Sequence, residues 1–192
     1  SAEDLIRVIR EQRKGGADFT KIYETGRDSL KDGRFTAPYQ YTTQQLSAAV
    51  NEAMRTGGDN ASGRGIAVHA TVEPGTGFAV AAGVSSVDHA YQMSDVTMKM
   101  MREKGIYAVP TFAIMEYFAD HAATPDRAER LKAEQAFHAA EFKKQMAAGV
   151  PFAVGSDVGP FPHGTQAREM ELMVEYGMKP IDVLHADLLN GA

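Results

Sequence analysis

Apolar and polar residues along this chain fall into a repeated unit, in which a helix-like stretch ends at glycine and a short β-branched or aromatic run follows at once. The unit appears at Arg13-Lys14-Gly15-Gly16-Ala17 before DFTKIY (18–23), at Ala81-Ala82-Gly83 before VSSVDHAY (84–91), at Glu103-Lys104-Gly105 before IYAVPTF (106–112) and at Ala147-Ala148-Gly149 before VPFAVGSD (150–157). Glycine after the last helical turn reads as a C-terminal cap, because it takes the left-handed conformation without a Cβ penalty. A fifth strand, Gly65 to His69, follows Thr56-Gly57-Gly58 across a polar, glycine-rich insertion.

The segments between these strands carry helical periodicity. Leu46, Ala49, Val50, Ala53 and Met54 recur at the spacing of one apolar helix stripe. Ser94 or Asp95 is placed to cap a helix running through Met98, Met100 and Met101 to Gly105. Residues 125–148, opened by Pro125 and rich in Ala, Glu and Lys, form the longest and most solvated helix candidate. Strands apolar on both faces that alternate with helices predict a parallel sheet covered by helices.

Polar residues decide between an open sheet and a barrel. The strand candidates close on Lys21, His69, His89, Thr111 and Asp157, one chemically capable residue each. A barrel whose site is built by strand C-termini predicts this, whereas a doubly wound nucleotide fold calls for a glycine-rich phosphate loop after its first strand. No such loop stands there. The predicted class is therefore α/β, of the (β/α)8 TIM-barrel type. Only five βα units are present, the fourth to eighth, since a closed barrel takes about 250 residues.

Composition narrows the chemistry. Of 192 residues 44% are hydrophobic and 23% charged, an ordinary globular balance. A net charge of -5 with scattered Lys and Arg argues against a nucleic-acid partner. No apolar run approaches the roughly 20 residues of a membrane span, so no membrane partner is expected. The Ser1-Ala2-Glu3-Asp4 opening is no signal peptide, and the compartment stays open between cytoplasm and export of a longer precursor. Without cysteine, metal ligation falls to His, Asp, Glu and Lys.

Each strand-end residue has two readings. Lys21 lies in an apolar strand, where it either snorkels or pairs with Glu24, or keeps its amine neutral enough to take up carbon dioxide as a carbamate bridging two metals. His69 and His89 close successive strands, and two imidazoles on neighbouring strand ends suit Zn²⁺ or a similar divalent ion. Asp88 is expected on the opposite face from His89, in a supporting role. Asp157 is either a turn residue before Gly159-Pro160 or a carboxylate that takes a proton from a metal-activated water.

Taken in order, Lys21 in DFTKIYETG, His69 in VHATV, His89 in SVDHAYQMSD, Pro110-Thr111 in YAVPTF, Asp157 in VGSDVG and the run HGTQAREMELMVEYGM (163–178) resemble the amidohydrolase superfamily, in its imidazolonepropionase-like and Xaa-Pro-dipeptidase-like branch. The resemblance covers nearly the whole chain and implies one domain, residues 1–192, forming part of a distorted TIM barrel around two divalent ions, commonly zinc. It implies that Lys21 is the carboxylated bridging lysine, that His69 and His89 bind the more exposed ion, and that Asp157 binds the buried ion and shuttles protons. The family's His-x-His pair has no counterpart here; His121, His138 and His185 lie in helix-like segments at the wrong spacing.

The expected function is then a metal-dependent hydrolase cleaving amide or cyclic-amide C–N bonds of a dipeptide, an N-acyl amino acid or an imidazolone-like ring, with Asp157 as general base and acid. Tyr23, Thr71, Tyr91 and His163 are candidate substrate contacts, and the stretches 26–41 and 113–124 are read as specificity loops. The alternative is a non-catalytic barrel fragment or assembly module, with His69 and His89 as rim residues. A sugar-phosphate barrel, with Gly155 and Gly159 as its anion loop, is a third reading. An isolated partial barrel exposes strand edges and apolar interior, so the missing N-terminal half or a homo-oligomer is the expected partner.

Overall fold

A computed structural model describes residues 1–56 and 65–191. The glycine-rich insertion read ahead of Ile66 falls at residues 57–64, outside the described residues. The helix Ala2–Lys14 (α1) leads into the strand Thr20–Tyr23 (β1), the hairpin Ser29–Lys31 (β2) and Arg34–Thr36 (β3), and the helix Thr43–Thr56 (α2). Three βα units follow: Ile66–Ala70 (β4) with Gly75–Ala82 (α3), Ser86–His89 (β5) with Asp95–Lys104 (α4), and Tyr107–Val109 (β6) with Phe112–Asp120 (α5). The helices Pro125–Ala147 (α6), Ala167–Glu175 (α7) and Pro180–Leu188 (α8) complete the chain.

The main sheet is parallel, in the order β1-β4-β5-β6. Strands therefore neighbour one another in chain order, with no reversal of the kind that marks a doubly wound sheet. Burial alternates along each strand. Ile22, Ile66, Val68, Val87 and Ala108 are buried, while Lys21, Tyr23, Ala67, His69, Ser86, Asp88, Tyr107 and Val109 on the opposite face are only partly covered or exposed. Helices on one face and an open inner face describe an arc of a barrel wall. The inner face was expected to be apolar; it carries Lys21, His69, Ser86 and Asp88 between Ala67 and Val109.

The fifth strand is shorter than its sequence suggests. Residues 152–157 make one bridge, Ala108 to Phe152, in which the Ala108 N–H donates to Pro151 and the Ala153 N–H to Ala108. The Val154 N–H then turns to the Ala186 carbonyl of α8, and Pro151 has no N–H to extend the ladder. Gly155 closes against β6, where a Cβ would lie 2.6 Å from Val109 Cγ1.

Both predicted loops contain regular structure. Within 26–41, Asp32 and Gly33 take φ of 51° and 72°, the left-handed pair of a tight hairpin, and Phe35 is buried against Tyr91 and Phe137. The stretch 113–124 is mostly α5. Other boundaries follow the sequence: Ser94 caps α4 by accepting the Thr97 N–H, Thr124 caps α6 with Pro125 at its first position, and Gly83, Gly105 and Gly149 are left-handed.

The α2 stripe is rotated from its apolar periodicity. Leu46, Ala49 and Ala53 are buried as expected, but Met54 is 55% exposed and Glu52 faces inward. A charge explains the rotation. Arg10 Nε of α1 donates to Glu52 Oε1 at 2.7 Å and Arg55 Nε to Oε2 at 3.1 Å, so α1 and α2 are joined by a carboxylate held between two guanidinium groups. These hydrogen bonds draw the Glu52 carboxyl from its ordinary 4.5 down to about 2.

Two outcomes follow. Leu46→Ala should lower the unfolding free energy by about 2–5 kcal/mol, while Met54→Ala should stay within roughly 0.5 kcal/mol; denaturant titration of both reads the rotation of α2. Because the folded-state value of Glu52 is depressed, its contribution is complete above pH 4.5 and is lost as pH falls toward 2. Melting curves of Glu52→Gln should lie below wild type at neutral pH and converge with it across that window.

Candidate functional site

Parallel register builds the site row by row. Tyr23 pairs with His69, and His69 with Asp88, so these three stand side by side on the inner face at the C-terminal end of the sheet; Lys21 stands one row below, opposite Ala67. Period-two alternation should send His89 to the outer face once Asp88 points inward. The backbone breaks this rule. His89 and Ala90 adopt φ of 78° and 47°, and the left-handed turn brings the His89 ring to 4.4 Å from that of His69. Asp88 and His89 therefore reach the same cavity, which corrects the expectation that Asp88 faces away.

Strain of this kind is concentrated here. Among the described residues, the non-glycine positions with positive φ are Asp32 in the hairpin turn, His89 and Ala90 at the end of β5, Thr111 just after β6, and Asp157 in the segment after the Ala108–Phe152 bridge. Each costs on the order of 1–3 kcal/mol and persists only where its surroundings over-determine it. At β5 the surroundings are on α6. Gln145 Nε2 donates to the Ala90 carbonyl at 2.7 Å, and His138 lies behind the His89 backbone with its Nδ1 3.4 Å from Met115 Sδ. His138 is 1% exposed, with its ring 4.4 Å from Phe112 and 4.6 Å from Tyr91, and burial draws it down to about 3. Sequence spacing excluded His138 as a ligand; its part is to brace the ligand candidate from behind. A buried polar stripe at 138, 141 and 145 on an otherwise solvated helix was the available signal.

The cavity occupies about 810 Å³ against the inner face, with Lys21, Tyr23, Asp88, His89 and Asp157 on its walls. Lys21 Nζ forms an ion pair with Asp88 Oδ2, and Asp88 Oδ1 accepts from Ser86 Oγ at 3.1 Å. Glu24, the partner weighed for Lys21, is fully buried elsewhere; it accepts the Tyr41 N–H, and burial pushes its carboxyl up to about 7. His69 is covered by the Tyr23 ring, stacked at 4.7 Å. Desolvation and then the Lys21 charge draw His69 down to about 4, and desolvation with the neighbouring His69 holds His89 well below the ordinary histidine range. Both imidazoles are thus neutral, the form that ligates metals. Asp157 lines the cavity and is exposed, its carboxyl raised by desolvation while Lys21 pulls it down.

The other candidate contacts separate. Tyr23 lines the cavity, with 61% of its surface exposed. Thr71 is buried behind the strand end and bonded to Thr25, and Tyr91 is buried between Phe35, His89 and His138, so neither lines the cavity. His163 is exposed in the loop before α7, away from the cavity wall. His121 stacks on Tyr117, and His185 is exposed on α8.

The donor set fits part of a metal centre. His69 and His89 are adjacent and neutral, and His89 Nδ1 lies 2.7 Å from Thr111 Oγ1, the kind of outer hydrogen bond that a ligating histidine makes through its second nitrogen. Among the described residues, no three His, Asp or Glu side chains are grouped as a complete shell. Lys21 and Asp157, both on the cavity wall, are the third and fourth candidates, and further donors are needed to close a shell.

The chain matches the Amidohydrolase family model over residues 1–192. It is 27% identical to ochratoxinase of Aspergillus niger, an alignment that covers 98% of this chain and 38% of that enzyme. The crystal structure of A. niger ochratoxinase superposes with a TM-score of 0.79 over 97% of this chain and 41% of the other. A Xaa-Pro dipeptidase with methionine bound in its active site superposes with a TM-score of 0.81, 28% identity, and coverage of 97% and 45%. The chain thus spans less than half the length of these relatives. A family match over all 192 residues, strands paired in chain order and helices confined to one face agree: the chain belongs to the amidohydrolase family and forms an arc of its α/β barrel.

Proposed function

We propose that this chain supplies part of the active-site wall of a metal-dependent hydrolase that cleaves amide or cyclic-amide C–N bonds. The observation that carries the reading is the convergence of Lys21, His69 and His89 on the inner face of one parallel sheet with Asp157 in the segment beside it, Lys21, His89 and Asp157 lying on the wall of the 810 Å³ cavity. The amide-bond class is favoured by the likeness to ochratoxinase and to a Xaa-Pro dipeptidase. In this reading His69 and His89 would hold a divalent ion, zinc being the first candidate, and Lys21, as a carbamate, would supply a further ligand. Bound there, such ions would acidify a water for attack and polarise the scissile carbonyl.

The chain's own residues supply the rest. Asp157, on the cavity wall, accepts the proton of the attacking water and returns it to the leaving nitrogen, a general base and then a general acid. Its backbone is left-handed, with φ of 53°. Asp88 holds the Lys21 amine in place and, on carbamate formation, would have to release it. Tyr23 shields one face of His69 from water. The remaining donors and the opposite cavity wall come from chain outside these 192 residues or from a partner copy, and a small molecule or dipeptide is the substrate class that fits the cavity.

One observation favours a non-catalytic wall: the Lys21 amine is already satisfied by Asp88 as an ion pair. Metal analysis separates the two. The full-length protein should contain divalent ion, lose amide hydrolysis on chelation and regain it with Zn²⁺, and Asp157→Asn should lower kcat by roughly 10²–10⁴-fold, the usual worth of a general acid–base. Hydrolysis that survives chelation, or an Asp157→Asn enzyme as fast as wild type, would sink the hydrolytic reading.

A further inference from the structure

Thr111 occupies a position whose features do not explain one another locally. It is the N-cap residue of α5, and threonine at an N-cap ordinarily turns its hydroxyl onto the first helical N–H groups. Here it does not. Its backbone is left-handed, with φ 59° and ψ 45°, an outlier for a β-branched residue, and its side chain makes no cap bond. The capping is done from another helix. Glu169 of α7, fully buried, reaches across so that Oε1 accepts the Phe112 N–H at 2.9 Å and Oε2 the Ala113 N–H at 2.7 Å. A carboxylate at a helix N-terminus is favoured by the helix dipole as well as by these donors.

The arrangement frees the Thr111 hydroxyl for a different partner. Oγ1 donates its one hydrogen to the Pro110 carbonyl at 2.6 Å. Its second contact, His89 Nδ1 at 2.7 Å, must then be one in which the hydroxyl accepts. A hydroxyl has a single donor, and a neutral imidazole has one N–H and one lone pair. Nδ1 therefore carries the imidazole hydrogen, and the Nε2 lone pair is left available.

We propose that Thr111 is a positioning residue, anchored by Glu169, that fixes His89 as the Nδ1–H tautomer and so presents Nε2 as the ligating nitrogen. The inference rests on the reading of His89 as a metal ligand and adds to it the group that sets its tautomer and ring orientation. It also gives α7 a part in the site: Glu169 lies 80 residues after His89 and touches neither the cavity nor the imidazole. Thr111, one of the five strand-end residues in the sequence, thereby acquires a role as the acceptor behind a ligand.

The test uses the full-length protein with histidine side chains labelled by ¹⁵N, metal-free and with Zn²⁺ alone as probe. In metal-free wild type His89 should show Nδ1 protonated. Thr111→Val keeps the side-chain shape and removes the hydroxyl; it should populate both tautomers in the folded, metal-free protein and weaken Zn²⁺ binding by about 10–100-fold. Thr111→Ser should restore the tautomer and bring affinity back to within a few-fold of wild type. Glu169→Gln, which leaves one α5 donor facing an amide, should shift the tautomer ratio in the same direction by a smaller amount. Nε2 protonated in wild type, or Thr111→Val with wild-type tautomer and Zn²⁺ affinity, would overturn the proposal. Wild type that binds no divalent ion would overturn the metal reading, and the tautomer measurement would still decide the assignment of Thr111.

Discussion

The site depends on the register of three parallel strand pairs. Because Tyr23 pairs with His69 and His69 with Asp88, side chains far apart in sequence meet as a row on one face of the sheet. A slip of one residue in any pair would exchange that row with Ile22, Val68 and Val87, which the helices cover. The apolar outer face therefore sets the chemistry of the inner one. Burying Val68 and Val87 admits one register, and that register presents Lys21, His69 and Asp88 together.

Much of this was legible in the sequence. Strands with β-branched residues at alternate positions, each preceded by a glycine-terminated helix, gave the parallel sheet and its chain-order pairing, and the residues closing those strands gave the candidate site. What was not legible lay where local rules yield to tertiary ones. Alternation predicts opposite faces for Asp88 and His89, and only a left-handed backbone, held by Gln145 from a helix some fifty residues later, brings them together. Apolar periodicity placed Met54 inside and left Glu52 outside, because it does not register that Arg10 and Arg55 satisfy a buried carboxylate. The hairpin around Asp32-Gly33 did have a local signal, a sequence that favours two left-handed residues, hidden within a polar stretch read as a loop.

Buried polar groups behind the site form a second layer, with a division of labour. Helix α6 supports the backbone of the β5 end, and α7 supports the first turn of α5. Neither helix contributes a side chain to the cavity wall. Two polar residues that look misplaced on these helices are satisfied by main-chain groups, Gln145 by the Ala90 carbonyl and Glu169 by the Phe112 and Ala113 N–H groups. They account for how non-glycine residues persist there in conformations that cost free energy.

The strain at those strand ends also constrains how the sequence can drift. At residues 89, 90, 111 and 157 glycine would relieve the backbone, so selection for fold stability alone would move each of them toward it. Three of the four, His89, Thr111 and Asp157, carry side chains that glycine lacks. Backbone stability and side-chain chemistry pull these positions in opposite directions, and a barrel arc relaxed toward glycine there would gain robustness as a scaffold while giving up the imidazole, hydroxyl and carboxylate it now presents.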